Sequence, residues 1–113
     1  WKTYYEALKP KEKALSLRCP VIPGDCHHNG HIFYVLFETK EKRNYAMDNL
    51  KKAGILSVFH YIPLDTSKAG RLFSSNRKIE LPNSQSLSGR LLRLPLFADF
   101  SEVFSVLDVI MNQ

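Results

Sequence analysis

The segment His31–Glu38, which reads HIFYVLFE, constrains the fold of this chain more than any other. In an extended strand Ile32, Tyr34 and Leu36 point to one side, and Phe33, Val35 and Phe37 to the other. Both sides are therefore apolar, and a strand of that kind belongs inside a sheet covered on both faces. The apolar run stops at Phe37, well short of the ~18 residues that cross a bilayer, so no membrane span is expected. With 113 residues and 44% hydrophobic content, the chain is one domain with enough apolar material for a core. The same composition excludes disorder for most of its length.

The rest of the chain arranges itself around that strand. Trp1, Tyr4, Tyr5 and Leu8 recur at helical spacing, and Pro10 ends the helix. The chain opens on Trp1 rather than Met, directly into this stripe and without a capping residue, as expected of a piece of something longer. With the remainder missing, the stripe is expected to be left as orphaned apolar surface. Leu15–Ile22 alternates but carries Pro20, which limits it to a loose or edge strand. Gly24–Gly30 is a polar loop. Lys40–Ala53 is a helix burying Ala46, Met47, Leu50 and Ala53, with Gly54 just past its end. Ile55–Ile62 reads as a second strand ended by Pro63. Short helices are expected near Lys68–Phe73 and from Ser84 or Ser86. Leu91–Phe97 reads as a strand placed at an edge by Pro95, and Asp99 or Ser101 caps a last helix with the stripe Val103, Leu107, Ile110 and Met111. The expected fold class is α/β of the α+β kind, a short mixed or antiparallel sheet packed with helices.

Three groups of residues have ordinary explanations. The net charge of +5 permits phosphate or nucleic-acid binding without requiring it, since the basic residues are scattered. Arg90, Arg93, Arg71, Arg77 and Lys78 could fork onto phosphate or carboxylate, but such groups are usually solvated surface. Cys19, Cys26, His27, His28 and His31 contain zinc-type ligands, yet the C-x6-C spacing departs from zinc fingers and ribbons. A solvated loop is the better reading, no metal is expected, and two cysteines form no disulfide framework. A reducing cytoplasm is the default compartment. Gly30, Phe33, Val35 and Phe37 loosely match the RNP1 strand of RNA-recognition domains, whose aromatic face stacks bases. An RNA-binding module is therefore the alternative function.

The segment His60-Tyr61-Ile62-Pro63-Leu64-Asp65 delivers a His, a Tyr and a carboxylate to one loop after a strand, where sites concentrate. Together with Asn29-Gly30-His31-Ile32-Phe33-Tyr34-Val35, Gly54-Ile55, Ala69-Gly70 and Arg90-Leu91-Leu92-Arg93-Leu94-Pro95-Leu96-Phe97, it resembles the C-terminal part of the DegT/StrS-type nucleotide-sugar aminotransferases. The likeness runs over essentially the whole chain.

The resemblance implies that residues 1–113 are the small C-terminal domain of a fold-type I enzyme using pyridoxal 5′-phosphate (PLP), with 1–10 the end of the interdomain helix. PLP would be held by a lysine of the missing N-terminal domain, so no catalytic or cofactor-binding residue is expected here. The parent would convert a 4-keto-6-deoxy nucleotide sugar to its 4-amino derivative with an amino-acid donor such as glutamate, as a cytoplasmic homodimer, for lipopolysaccharide or other cell-surface polysaccharide. By the same resemblance Asn29, His31, His60 and Tyr61 contact the substrate. Position 65 departs from the family's pattern, with Asp in place of a second His, and Lys68 replaces a following proline. Asp65 is expected to cap the helix that starts at Thr66–Lys68 rather than meet a diphosphate.

Overall fold

The apolar strand is Phe33–Phe37 (β2), and it lies inside a four-stranded antiparallel sheet with order β1-β2-β4-β3. The other strands are Leu17–Arg18 (β1), Val58–Phe59 (β3) and Leu91–Leu94 (β4). The computed structural model describes residues 1–73 and 81–112. The helices are Lys2–Leu8 (α1), Lys40–Lys52 (α2), Lys68–Phe73 (α3), Pro82–Arg90 (α4) and Val103–Met111 (α5), with a 3-10 turn at Lys9–Lys11. Arg77 and Lys78 lie outside the described residues.

Register decides which side chains meet. Leu17 stands opposite Phe37, Phe33 opposite Leu94 and Val35 opposite Leu92, and partners across a ladder share a face. That face is buried beneath α1, α2 and α5, which supply Tyr4, Leu8, Ala46, Leu50, Leu107 and Ile110 to one core. The opposite face carries Arg18, Tyr34, Leu36, Leu91, Arg93 and Val58. Leu36 is buried there, Tyr34, Leu91 and Arg93 are half-buried, and Arg18 and Val58 are exposed. Among the described residues this face is only partly covered, whereas a sheet covered on both faces was expected. An antiparallel sheet can leave one side towards solvent, and the three packing helices here all share the other.

Helix α2 shows how closely local chemistry matches the fold. Thr39 Oγ1 accepts from the Lys42 amide at 3.2 Å at its start. At its end Gly54 takes φ +76°, the Gly54 amide donates to Lys51 and the Ile55 amide to Leu50. This closure satisfies two carbonyls that the helix leaves open and turns Ile55 into the core. Ala53 is exposed, contrary to expectation. Arg43 is buried instead, its Nε donating to the Gly89 carbonyl at 3.1 Å.

Other boundaries move for physical reasons. The second strand shrinks to β3, because Ile55 is held by the helix end and Phe59 already pairs with Leu92, next to the first residue of β4. β4 is interior rather than an edge, because Pro95 falls just after the last ladder pair. The helix expected from Ser84 or Ser86 begins at Pro82, which fits a first turn that needs no amide donor. Neither Asp99 nor Ser101 caps α5. Asp99 sits in a turn with φ +61°, and Glu102 precedes the helix without a side-chain cap.

The stripe on α1 is not orphaned. Tyr4 and Leu8 are fully buried, Tyr4 OH donates to the Pro95 carbonyl at 3.0 Å, and Trp1 Nε1 donates to the Ile32 carbonyl at 3.0 Å. Exposed apolar side chains lie elsewhere, at Leu56, Tyr61, Ile62, Leu64, Leu72 and Phe73. Tyr4→Phe keeps the ring and removes only the hydroxyl bond. It is expected to lower stability by about 1 kcal/mol in urea unfolding, with an unchanged m-value.

Candidate functional site

The loop before β2 is shaped by its own side chains. Gly30 takes φ +63°, His28 Nδ1 accepts from the Gly30 amide at 3.2 Å, and Asn29 Oδ1 accepts from the His31 amide at 3.1 Å. Such short polar side chains replace backbone partners in tight turns. Trp1 holds the loop down, its ring 4.2 Å from that of His28 and 5.3 Å from Phe33. The result is a groove of about 310 Å³ lined by Trp1, Val21, His28, Asn29, His31 and Tyr34. A smaller cleft of about 160 Å³ shares His31 and Ile32 with it and is lined further by Val58, Arg93 and Pro95.

The second half of the candidate site follows β3. His60 and Tyr61 are exposed, with ring centroids 4.5 Å apart and edge to face. The Pro63 carbonyl accepts from the Thr66 and Ser67 amides, which turns the chain into α3. Ser67, not Asp65, caps that helix, its Oγ accepting from the Gly70 amide at 2.9 Å. Asp65 Oδ2 instead accepts from Gln85 Nε2 at 2.7 Å, tying this loop to α4, and Oδ1 is buried without a partner among the described residues. The cap expected of Asp65 is therefore corrected. Ser67 sits one residue before Lys68 and two beyond Asp65, which puts its hydroxyl in range of the helix's third amide. Gly70 packs so closely that a Cβ there would overlap the Leu64 carbonyl.

The structure brings Asn29 to His31 and His60 to Tyr61, but does not bring the two pairs together. Both β2 and β3 run antiparallel to the β4 between them, with Val35 and Phe59 facing the same residue, Leu92. His31 lies at the start of β2 and His60 beyond the end of β3. At ~3.3 Å per residue the pairs are separated by about 16 Å or more along the strands and about 10 Å across them. Trp1, Tyr34 and Arg93 line the grooves and were not singled out as substrate contacts. Tyr34 and Arg93 become neighbours only once β2 and β4 are known to pair.

One other reading of the sequence does not survive. Phe33, Val35 and Phe37 are buried under helices, so the RNP1-like strand has no aromatic face free to stack bases, and the RNA-binding alternative is set aside. Among the described residues no three Cys, His, Asp or Glu side chains converge as metal ligands. Cys19 is buried, its amide donating to Glu12 Oε1 at 2.7 Å, whereas Cys26 is exposed. Arg90 Nη1 donates to the Phe37 and Glu38 carbonyls, and Arg71 is exposed. Among the described residues no helix is long and apolar enough to cross a membrane.

The profile of the DegT/DnrJ/EryC1/StrS aminotransferase family matches residues 1–110. The chain belongs to that family. Solved structures share its fold. The aminotransferase TlmJ from Streptoalloteichus hindustanus superposes with a TM-score of 0.81 at 22% identity, covering 98% of this chain and 29% of that one. A DegT/DnrJ/EryC1/StrS aminotransferase from Brucella abortus gives 0.75 at 28% identity, covering 98% and 28%. Spr1654 from Streptococcus pneumoniae, assigned as a sugar aminotransferase and solved in its PLP form, gives 0.67 at 19% identity, covering 98% and 29%. The chain thus spans under a third of the length of these enzymes. Family membership implies PLP in the parent enzyme, and among the described residues no lysine lines either groove.

Two outcomes follow from this geometry. Gly70→Ala is expected to disorder the turn into α3 at a cost of about 1–3 kcal/mol, seen as faster amide exchange from His60 to Phe73 while β2 and β4 stay protected. Burial first, and then the Glu12 charge, push the Cys19 thiol up to about 11 from 9.0. A thiol reagent is expected to label Cys26 at once and Cys19 only on unfolding. Because the folded thiol ionises at higher pH than the unfolded one, its contribution to stability is intact at neutral pH and falls as pH rises from 9.0 to about 11.

Proposed function

We propose that residues 1–113 form the small C-terminal domain of a PLP-dependent nucleotide-sugar aminotransferase, with 1–10 the end of the helix that joins it to a larger N-terminal domain. The observation that carries this reading is the family match over residues 1–110, together with the His60-Tyr61-Ile62-Pro63-Leu64 loop. The larger domain supplies the lysine for PLP. The parent reaction moves an amino group from a donor such as glutamate to the 4-keto carbon of a nucleotide-linked 6-deoxy sugar. The substrate that the sequence resemblance favours is dTDP-4-keto-6-deoxyglucose, giving dTDP-4-amino-4,6-dideoxygalactose for cell-surface polysaccharide, in a cytoplasmic homodimer.

This chain's part is to bind and orient. Asn29 has spent its carbonyl on the His31 amide, which leaves its amide hydrogens to donate outwards. His31, His60 and Tyr61 are exposed and offer further hydrogen-bonding groups. Since the two pairs leave the sheet at different ends, they serve different portions of an elongated ligand, as a nucleotide sugar is.

In the full-length parent, incubation with the keto sugar nucleotide and glutamate is expected to yield the amino sugar, identified by mass spectrometry. His60→Ala is expected to raise KM about tenfold with kcat largely kept, as for a contact made equally in ground and transition states. The 113-residue chain alone, mixed with PLP, is expected to show no stable visible band beyond that of the free cofactor. A parent that aminates no 4-keto nucleotide sugar would overturn the proposal.

A further inference from the structure

Arg93 sits in the middle of the open sheet face, between Tyr34 on one neighbouring strand and Val58 on the other. Neither neighbour carries a charge, and the ion pairs formed among the described residues involve other side chains. Its Nε is buried and has no hydrogen-bond acceptor among the described residues. A half-buried guanidinium with an unmet donor is costly unless something supplies the acceptor. Arg90, by contrast, spends its guanidinium on the Phe37, Glu38 and Ser86 carbonyls.

The space at Arg93 is shaped for one group. The cleft of about 160 Å³ has apolar walls from Ile32, Val58 and Pro95, with His31 at its junction with the larger groove. It is smaller than the ~300–1,000 Å³ that encloses a whole small-molecule ligand, so it suits a terminal group rather than a complete one. The planar fork of an arginine matches the paired oxygens of carboxylate and phosphate, and apolar walls strengthen the attraction by excluding water. We infer that the Arg93 cleft is an oxyanion-binding subsite, taking a carboxylate or phosphate group of a ligand whose remainder passes His31 into the groove below Trp1. The inference stands on charge, burial and shape, and holds whether or not the chain serves a transaminase.

Its test uses the 113-residue chain in nitrogen-15 NMR, titrated separately with inorganic pyrophosphate and with acetate. Saturable movement of the Arg93 Nε–H resonance, with the Val58 and His31 amides following, is the expected result for at least one anion. A response to pyrophosphate alone identifies a phosphate subsite, and a response to acetate alone a carboxylate subsite. Arg93→Gln is expected to weaken binding about tenfold or more, with Arg93→Lys intermediate because a point charge remains without the fork. If Arg93→Gln does not fold, the wild-type Nε–H response decides the matter by itself. An Nε–H resonance that neither anion moves overturns the inference, as does a folded Arg93→Gln that binds like wild type.

Discussion

The ladder between β2 and β4 is the interaction on which the remaining structure rests. It pairs Phe33 with Leu94 and Val35 with Leu92, all buried, and so sets one apolar surface at the centre of the chain. Helices α1, α2 and α5 have little reason to pack anywhere else. Each carries a stripe that its own length is too short to stabilise in water, and the stripe finds cover only against that surface. The short outer strands depend on it as well. β1 and β3 pair over two residues each, a length that would not persist without a central ladder to lean on.

The same ladder produces the asymmetry that matters for function. Alternation sends Phe33, Val35 and Phe37 under the helices and Tyr34 and Leu36 to the other side, where Arg93 and Arg18 join them. A sheet with one packed face can carry polar and charged groups on the other without disturbing its core. The grooves at Asn29, His31 and Arg93 are cut into the rim of that open face, and Trp1, packed on Phe33, lines the larger of them.

Features encoded by neighbours in sequence were legible, and features encoded by distant pairing were not. Helix α2 and its glycine stop could be read directly, because the apolar spacing of Ala46 and Leu50 and the turn at Gly54 are local features. β2 was legible from its apolar run. The interior position of β4 was not, since Pro95 weakens a strand only if it falls inside the ladder, and one residue decides that. The site divides in the same way. Asn29 and His31 adjoin in sequence and share a groove, as do His60 and Tyr61 in their loop. The gap between the pairs depends on strand order, which no periodicity records. Asp65 looked like a cap because a helix followed it, but Ser67 was closer and Gln85, twenty residues on, offered Asp65 a better use.

The hydroxyl of Tyr4 reaches a carbonyl 91 positions along the chain, and the indole of Trp1 one 31 positions along. Contacts of such span delay folding, because closing a long loop loses entropy before any packing offsets it. The first helix therefore cannot settle until β4 has been made. At ribosomal speeds of about 5–20 residues per second, α1 waits several seconds with its aromatic side uncovered. During that interval the segment is open to chaperones and to mispairing, so the helix made earliest among these elements is among the last to be locked in place.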